Sequence, residues 1–451
     1  MPKYNQTGYY TFLVVYILAI FSIGNWIERY QSLPLMLAYA SAFMGYIFLL
    51  QKSEDTKTLF TTGLIIKALL FFTLPSLSDD MYRFIWDGTL IKNDIHPFAE
   101  LPGYYLEKNI DGISSELYGL LNSPNYFTIY PPINQAIFWL SAVIGNGDWL
   151  VSANVIRLVL CAADVGSYFL LKSILRASGK SVFLANWFWL NPLIILEGVG
   201  NLHFEGLVVF FILLGIYGYQ KSKYVLAAGG FGLAIGTKLL PLIYLPVLFL
   251  SGLKNKKWWV APVAGVIALL TIVPMLDATF LSGMQESLEL YFQSFEFNAS
   301  IYFAARQIGY WIYGYNNIAL IGPLLSLLSF LSICVVSIVA WKKEWSLSKS
   351  FLFVLTIYLL FATTVHPWYI IPLIVFGVLS GYWYPIVWSF LIFLTYIGYD
   401  KNGFELPMYL VVIEYVVVLS TMIIECGNTP IVPSRGHSTN SNEGKSPFEG
   451  G

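Results

Sequence analysis

The stretch Ser78-Asp79-Asp80-Met81-Tyr82-Arg83-Phe84-Ile85-Trp86-Asp87-Gly88 places three carboxylates and one guanidinium directly after an apolar run. A carboxylate held beside a cation is the minimum equipment for activating a hydroxyl by general-base catalysis. Read as a helix, Asp80, Arg83 and Asp87 share one face through i,i+3 and i,i+4 steps, whereas Asp79 points elsewhere. That geometry favours Asp80 over Asp79 as the base, with Arg83 orienting it. The interleaved aromatic residues suit the membrane–water interface, so the helix is expected to lie on the membrane with its carboxylates toward a lipid headgroup. The same residues also fit a plain juxtamembrane helix with a local Arg83–Asp87 ion pair.

Further polar residues interrupt apolar sequence downstream. His203 and Glu205 lie in Asn201-Leu-His-Phe-Glu205, Lys238 in Thr237-Lys-Leu-Leu-Pro241, Arg306 shortly after Phe297-Asn-Ala-Ser300, and His366 at the start of His366-Pro-Trp-Tyr369. An ionised side chain facing hydrocarbon costs roughly 3 kcal/mol or more, so such residues normally face a cavity or a partner. Lys238 and Arg306 are the cations best placed to meet an anionic lipid phosphate. Competing readings are snorkelling for Lys238 and a structural pair with Glu296 for Arg306. Either histidine alone fits a helix-end hydrogen-bonder better than a metal ligand. Arg157 and Asp164, two turns apart on one helix face, are expected to meet neighbouring helices and brace the bundle. A divalent metal could assist at Asp79 and Asp80, but the spacing does not demand one, and no cofactor is assigned.

The elements that must position these groups are membrane helices. Hydrophobic residues make up 57% of the 451 residues and charged residues 11%, and the mean hydropathy is +0.66. So few charges cannot furnish the hydrated exterior of a soluble fold. A net charge of −1 offers no clustered basic surface for nucleic acid. Apolar runs of about 15–20 residues recur from residue 9 to residue 425, which predicts an all-α polytopic bundle with about 11–14 crossings. The run 131–146 is expected to be re-entrant or half-spanning. Basic clusters at Lys172/Arg176/Lys180, Lys221/Lys223, Lys254/Lys256/Lys257 and Lys342/Lys343/Lys349 assign those turns to the cytoplasm. The long segment 76–130 and the turns carrying His203, Lys238 and His366 then face the opposite side. Residues 1–426 form one transmembrane domain, and the Gly-, Ser- and Asn-rich 427–451 is expected to be a disordered polar tail. Cys161, Cys334 and Cys426 are far apart, with no metal-site spacing.

Taken in order, Asp79-Asp80-x-Tyr82-Arg83-x-x-Trp86-Asp87-Gly88, Ile95-His-Pro-Phe98, Thr128-Ile-Tyr-Pro-Pro132 and the four downstream motifs resemble the GT-C superfamily of integral membrane glycosyltransferases. Within it they are most similar to the bacterial polyprenyl-phosphate-mannose-dependent mannosyltransferases. The resemblance covers nearly the whole chain to about residue 425. It implies a GT-C-like bundle with a large catalytic loop outside the cytoplasm. It also implies transfer of a hexose, mannose by preference, from a polyprenyl-phosphate sugar to a hydroxyl of a glycan or lipid-linked acceptor. The implied site comprises Asp80 and Asp79 as catalytic candidates, with Arg83, Trp86, Asp87, Tyr130, His203, Glu205, Lys238, Arg306 and His366 as substrate-binding candidates. The implied location is a bacterial plasma membrane with the site on the extracytoplasmic side and membrane lipids as surroundings. A sugar already carried on phosphate needs no nucleotide-binding fold, and the sequence has no Walker loop and no glycine-rich dinucleotide turn. A transporter or flippase of a lipid-linked saccharide is the alternative. It would line a midplane path with Arg157, Asp164 and Lys238 and often shows two related halves, and no internal repeat is present. An assembly protein would need no acid–base constellation at all.

Overall fold

A computed structural model describes residues 6–53, 55–401 and 403–427; the polar tail expected at 427–451 lies, beyond Gly427, outside the described residues. Among them the chain is helical, with only two isolated backbone bridges, Phe297 with Thr364 and Tyr399 with Phe404. The helices used below are α1 (Gln6–Asn25), α2 (Ser32–Lys52), α3 (Thr56–Leu69), α4 (Asp80–Lys92), α5 (Pro132–Gly145), α6 (Trp149–Ala177), α7 (Glu205–Gln220), α8 (Tyr224–Thr237), α9 (Val260–Ile272), α10 (Ile318–Lys342) and α11 (Met408–Gly427).

The expected all-α polytopic membrane architecture is met. Five helices, α1, α2, α6, α10 and α11, are long and apolar enough to cross a bilayer, and two bent pairs raise the number to seven. The other apolar runs fold as helices of 10–17 residues, shorter than the ~20 needed for one straight crossing. The runs behind the 11–14 expected crossings thus divide into full spans and broken ones. Proline explains much of the breakage: Pro192 falls where the segments Val182–Trp189 and Ile194–Gly200 bend by 62°, because it cannot donate the helical hydrogen bond and clashes with the preceding turn. The 14 residues of α5 rise only ~21 Å at 1.5 Å each, short of the ~30 Å hydrocarbon layer.

Within the segment 76–130, helix α4 departs from the surface-lying amphipathic helix that is expected. Met81, Arg83, Phe84, Ile85, Trp86, Asp87 and Leu90 are all buried within the protein, on both the aromatic and the charged side of α4. The apolar face of α5 covers it, with Phe84 stacked on Phe138 at 4.5 Å, and Leu117, Leu121, Ile156 and Phe204 complete a second apolar core. Gly88 permits the crossing, since a Cβ there would sit 2.1 Å from the Phe138 carbonyl oxygen. Burial of this apolar surface outweighs the interfacial preference of the aromatic rings. Helix α4 starts with Asp80 in its first turn, where a carboxylate suits the positive end of the helix dipole, and its backbone N–H donates to Ser78 Oγ.

Candidate active site

The start of α4 sits where several distant segments converge. Asp80 Oδ1 accepts from Asn122 Nδ2 at 2.6 Å, and Oδ2 accepts from the Tyr130 hydroxyl at 3.0 Å. The Asp80 side chain keeps 18% exposure, so a ligand can reach it. Burial pushes its carboxyl above the ordinary range, while Tyr130, Lys238 and Asn122 pull it back down. A base tuned toward neutrality yet held ionised by donors suits proton abstraction from a hydroxyl.

Asp79 is engaged differently. It forms an ion pair with Arg29, whose guanidinium lies 5.2 Å above the Tyr399 ring. The two neighbouring carboxylates therefore serve different partners and do not converge on one cation. Among the described residues no group of three or more His, Cys, Asp or Glu is arranged to hold a metal ion.

Among the described residues no hydrogen bond or ion pair joins Arg83 to Asp80. Arg83 Nε donates to Asp87 at 2.8 Å and its Nη1 to the Ser123 and Tyr126 carbonyl oxygens. Asp87 also accepts from Gln135 Nε2. Both members of this pair are almost fully buried, so together they fasten the end of the 76–130 segment to α4 and α5. Trp86 is fully buried beside Tyr118. Arg83, Trp86 and Asp87 thus support the site from behind, as the local ion-pair reading anticipates.

The downstream motifs do converge. The His203 ring stacks on Trp368 at 3.5 Å, Trp368 on His366 at 4.4 Å, and His366 meets Phe297 at 4.5 Å. This column joins the turns at 201–205, 297–300 and 364–369 into one wall. Leu202 adopts a left-handed φ of +64°, an uncommon conformation for a branched residue, and this bend turns His203 inward. His203 Nδ1 lies 3.7 Å from Asp80 Oδ2, and Nε2 lies 3.5 Å from Glu197 Oε2. Burial, with Lys238 and His366 adding, holds His203 well below its ordinary titration range. Burial and then Lys238 take His366 down to about 3. Both imidazoles are therefore neutral near pH 7.

Lys238 is the cation at this wall. It ends α8, pairs with Glu205 at 2.5 Å, lies 5.8 Å from the Tyr369 ring and keeps 21% exposure. Its ammonium has three donors, so Glu205 fixes it while leaving capacity for an anion. Arg306 instead pairs with Glu296, which also accepts from Tyr302 and Asn316. Among the described residues no hydrogen bond or ion pair joins Arg306 to the Asp80 group, and its structural-pair reading accounts for these contacts. Arg157 donates to the Val199 and Gly200 carbonyl oxygens. Asp164 meets Lys67 at 3.6 Å, both fully buried. Both residues are thus tied to neighbouring segments inside the bundle.

Sequence reasoning passed over Arg29, Asn122, Glu197 and Trp368. Glu197 carried a usable signal, being an ionisable residue inside the apolar run 181–199. It lies in a π-helix, Ile194–Gly200, a form that recurs at functional sites. It accepts from the Tyr396 hydroxyl and from Asn201 Nδ2. Asn122 and Arg29 reach the site only through tertiary folding, and no local pattern marks them.

Residues 19–253 match the family model described as Alpha-(1->6)-mannopyranosyltransferase, N-terminal domain. The chain belongs to this family. Arg29, Asp79, Asp80, Asn122, Tyr130, Glu197, His203, Glu205 and Lys238 all fall inside the family match, while Arg306 and the ring column at 297–369 lie beyond it. The chain is also 23% identical over 249 residues to the protein named Alpha-(1->6)-mannopyranosyltransferase A from Corynebacterium glutamicum, covering 53% of this chain and 49% of that protein. It thus spans about half the length of the curated relative it matches. No solved structure matches it.

Proposed function

We propose that this family member transfers a mannosyl residue from a polyprenyl-phosphate donor to a hydroxyl of a glycan or lipid-linked acceptor, at the membrane face opposite the cytoplasm. The observation that carries the reading is the partly exposed Asp80 carboxylate, held by Asn122 and Tyr130 and within the electrostatic reach of the Lys238 ammonium. Asp80 takes the proton from the acceptor hydroxyl as its oxygen attacks the anomeric carbon. The bond from that carbon to the phosphate oxygen breaks, and Lys238 stabilises the charge gathering on the departing phosphate. The Arg83–Asp87 pair holds the loop that presents Asn122, and the ring column fixes the opposite wall.

A lipid-linked donor is supported by a cavity of about 650 Å³ between the end of α4, α5 and the bend after α9. Ile91, Ile95, Ile133, Trp139, Pro274 and Met275 make its walls largely apolar. The helices that contribute to its walls also carry exposed apolar residues, including Leu140 and Val143 on α5 and Val266 and Leu269 on α9. Its inner end reaches Pro132 and Gln135, and Gln135 donates to the backbone carbonyl of Tyr130. A polyprenyl tail entering from lipid would thus lead its phosphate toward the residue that holds Asp80.

The test is donor consumption. Purified full-length protein in lipid nanodiscs is incubated with labelled polyprenyl-phosphate mannose and, separately, with labelled nucleotide mannose. The reading expects turnover of the first and none of the second. Turnover of the nucleotide sugar alone would overturn it.

A further inference from the structure

His203 stands between two carboxylates that come from different parts of the chain. On one side its Nδ1 faces Asp80 Oδ2 at 3.7 Å, and on the other its Nε2 faces Glu197 Oε2 at 3.5 Å. The backbone repeats the tie, because His203 N–H donates to the Glu197 carbonyl oxygen at 3.1 Å. His203 Nε2 has no hydrogen-bond partner at full hydrogen-bond distance, although it is buried. The ring is clamped against Trp368, which fixes its plane and keeps both nitrogens aimed at the carboxylates. Glu197 is in turn held by Tyr396 and Asn201, and the Asn201 side chain also accepts from the Leu77 backbone N–H, just before the acidic pair. Nothing in the direct chemistry at Asp80 requires this arrangement, and a lone base would need neither group behind it.

We propose that His203 receives the catalytic proton from Asp80 and that Glu197 is a positioning residue that holds the imidazole for this, so that Asp80, His203 and Glu197 work as one proton-accepting unit. This rests on the function proposed above. Glu197 as a carboxylate takes the Nε2–H of neutral His203, which leaves the Nδ1 lone pair facing Asp80. When the acceptor O–H breaks, its proton passes to Asp80 Oδ2 and then to Nδ1. The product is an imidazolium between two carboxylates, in which both ring nitrogens donate. Charge is conserved: the acceptor oxygen loses its proton as it bonds to the anomeric carbon, the phosphate leaves with the bonding pair, and the unit gains one positive charge.

Burial opposes that charge first and Lys238 adds to it, at both His203 and His366. A phosphate bound to Lys238 offsets the Lys238 share of this opposition, so donor binding raises the proton affinity of the unit when a proton has to be received. The groups facing the unit are Asp79, Tyr130 and Asn122 around Asp80, Lys238 and His366 around His203, and Tyr396, Asn201 and Glu205 around Glu197.

The test combines a pH profile with a double-mutant cycle on full-length protein in nanodiscs, using labelled polyprenyl-phosphate mannose and octyl mannoside as the acceptor probe. Glu197→Gln is expected to lower kcat about tenfold or more, to change the donor KM little, and to move the acid limb of kcat to lower pH. The direction follows because the carboxylate stabilises the protonated unit, and its loss makes the unit a weaker proton acceptor. Glu197→Asp should restore part of kcat and return the limb toward its original position. His203→Gln should lower kcat, and Glu197→Gln added to it should cost little more, because residues acting as a unit are not additive. An unmoved limb in Glu197→Gln, or losses that simply multiply, would overturn the proposal and leave Glu197 as a brace for Tyr396 and Asn201. Wild-type protein that consumes no polyprenyl-phosphate mannose would count against the proposed function itself. The bridge is then read from the imidazole ¹⁵N titration of histidine-labelled protein. Glu197→Gln must shift the His203 titration to lower pH, and an unchanged titration overturns the bridge.

Discussion

The Tyr130 hydroxyl donates to Asp80 Oδ2 at 3.0 Å, and so ties the end of the 76–130 segment to its beginning. Phe84, one turn along α4 from Asp80, packs edge-on against the Tyr130 ring at 4.9 Å and fixes its approach. Tyr130→Phe keeps that packing and removes only the donor. A hydrogen bond to a charged group is worth about 1.5–3 kcal/mol, and this one favours the ionised form of Asp80. The variant should therefore raise the Asp80 titration further, moving the acid limb of kcat/KM to higher pH. Activity should survive at alkaline pH and fade sooner as pH falls. A limb that stays in place would show that Asp80 does not govern it.

The two downstream cations should separate cleanly. Lys238→Ala removes a charge that acts on Asp80, His203 and His366, and should raise the donor KM on the order of tenfold to a hundredfold, with some loss of kcat and little change in acceptor KM. Arg306→Ala breaks its pair with Glu296 and should lower thermal stability with little change in donor KM. Saturation curves for both substrates, alongside melting of each variant, decide between these roles.

Close approach at Gly88 predicts a folding defect. A methyl group there would meet the Phe138 carbonyl oxygen at 2.1 Å, and neither backbone can yield without disturbing the Phe84–Phe138 stack. Gly88→Ala should destabilise by about 1–3 kcal/mol, the usual cost of overpacking. A melting temperature in detergent equal to that of wild type would contradict the close packing of α4 on α5.

The cavity beside α5 predicts a dependence on lipid length. Ala136 lines it, and Ala136→Trp would fill much of its width. The variant should use long-chain polyprenyl-phosphate mannose poorly while retaining activity on a mannosyl phosphate carrying a short prenyl chain. Equal losses on both donors would place the tail elsewhere.

Much of the site was legible because ionisable residues in apolar sequence are conspicuous. Asp80, His203, Glu205, Lys238 and His366 were marked by that contrast, and the fold brings all five to one wall. Asp80, Arg83 and Asp87 lie together on α4, as their spacing predicts, yet it is other segments that set Asp80 apart. Arg83 and Asp87 share a face and pair with each other, but Asp80 is distinguished by Asn122 and Tyr130, and Asp79 by Arg29. Those partners lie far away in sequence, and no periodicity could reveal them. The burial of α4 was hidden for a similar reason, because it depends on α5 folding back over it. Helix count was the least legible feature, since apolar run length does not show where a proline such as Pro192 divides a span.

The central claim is that Asp80 removes the acceptor proton, and its most direct measurement is single-turnover transfer by Asp80→Asn and Asp79→Asn with labelled polyprenyl-phosphate mannose already bound. Asp80→Asn keeps the shape of the side chain and should bind donor about as well as wild type, yet transfer should slow on the order of 100-fold or more, the scale of a lost general base. Asp79→Asn loses its ion pair with Arg29 and should retain most of the rate. Near wild-type transfer by Asp80→Asn, with Asp79→Asn inactive, would contradict the account and move the base to Asp79.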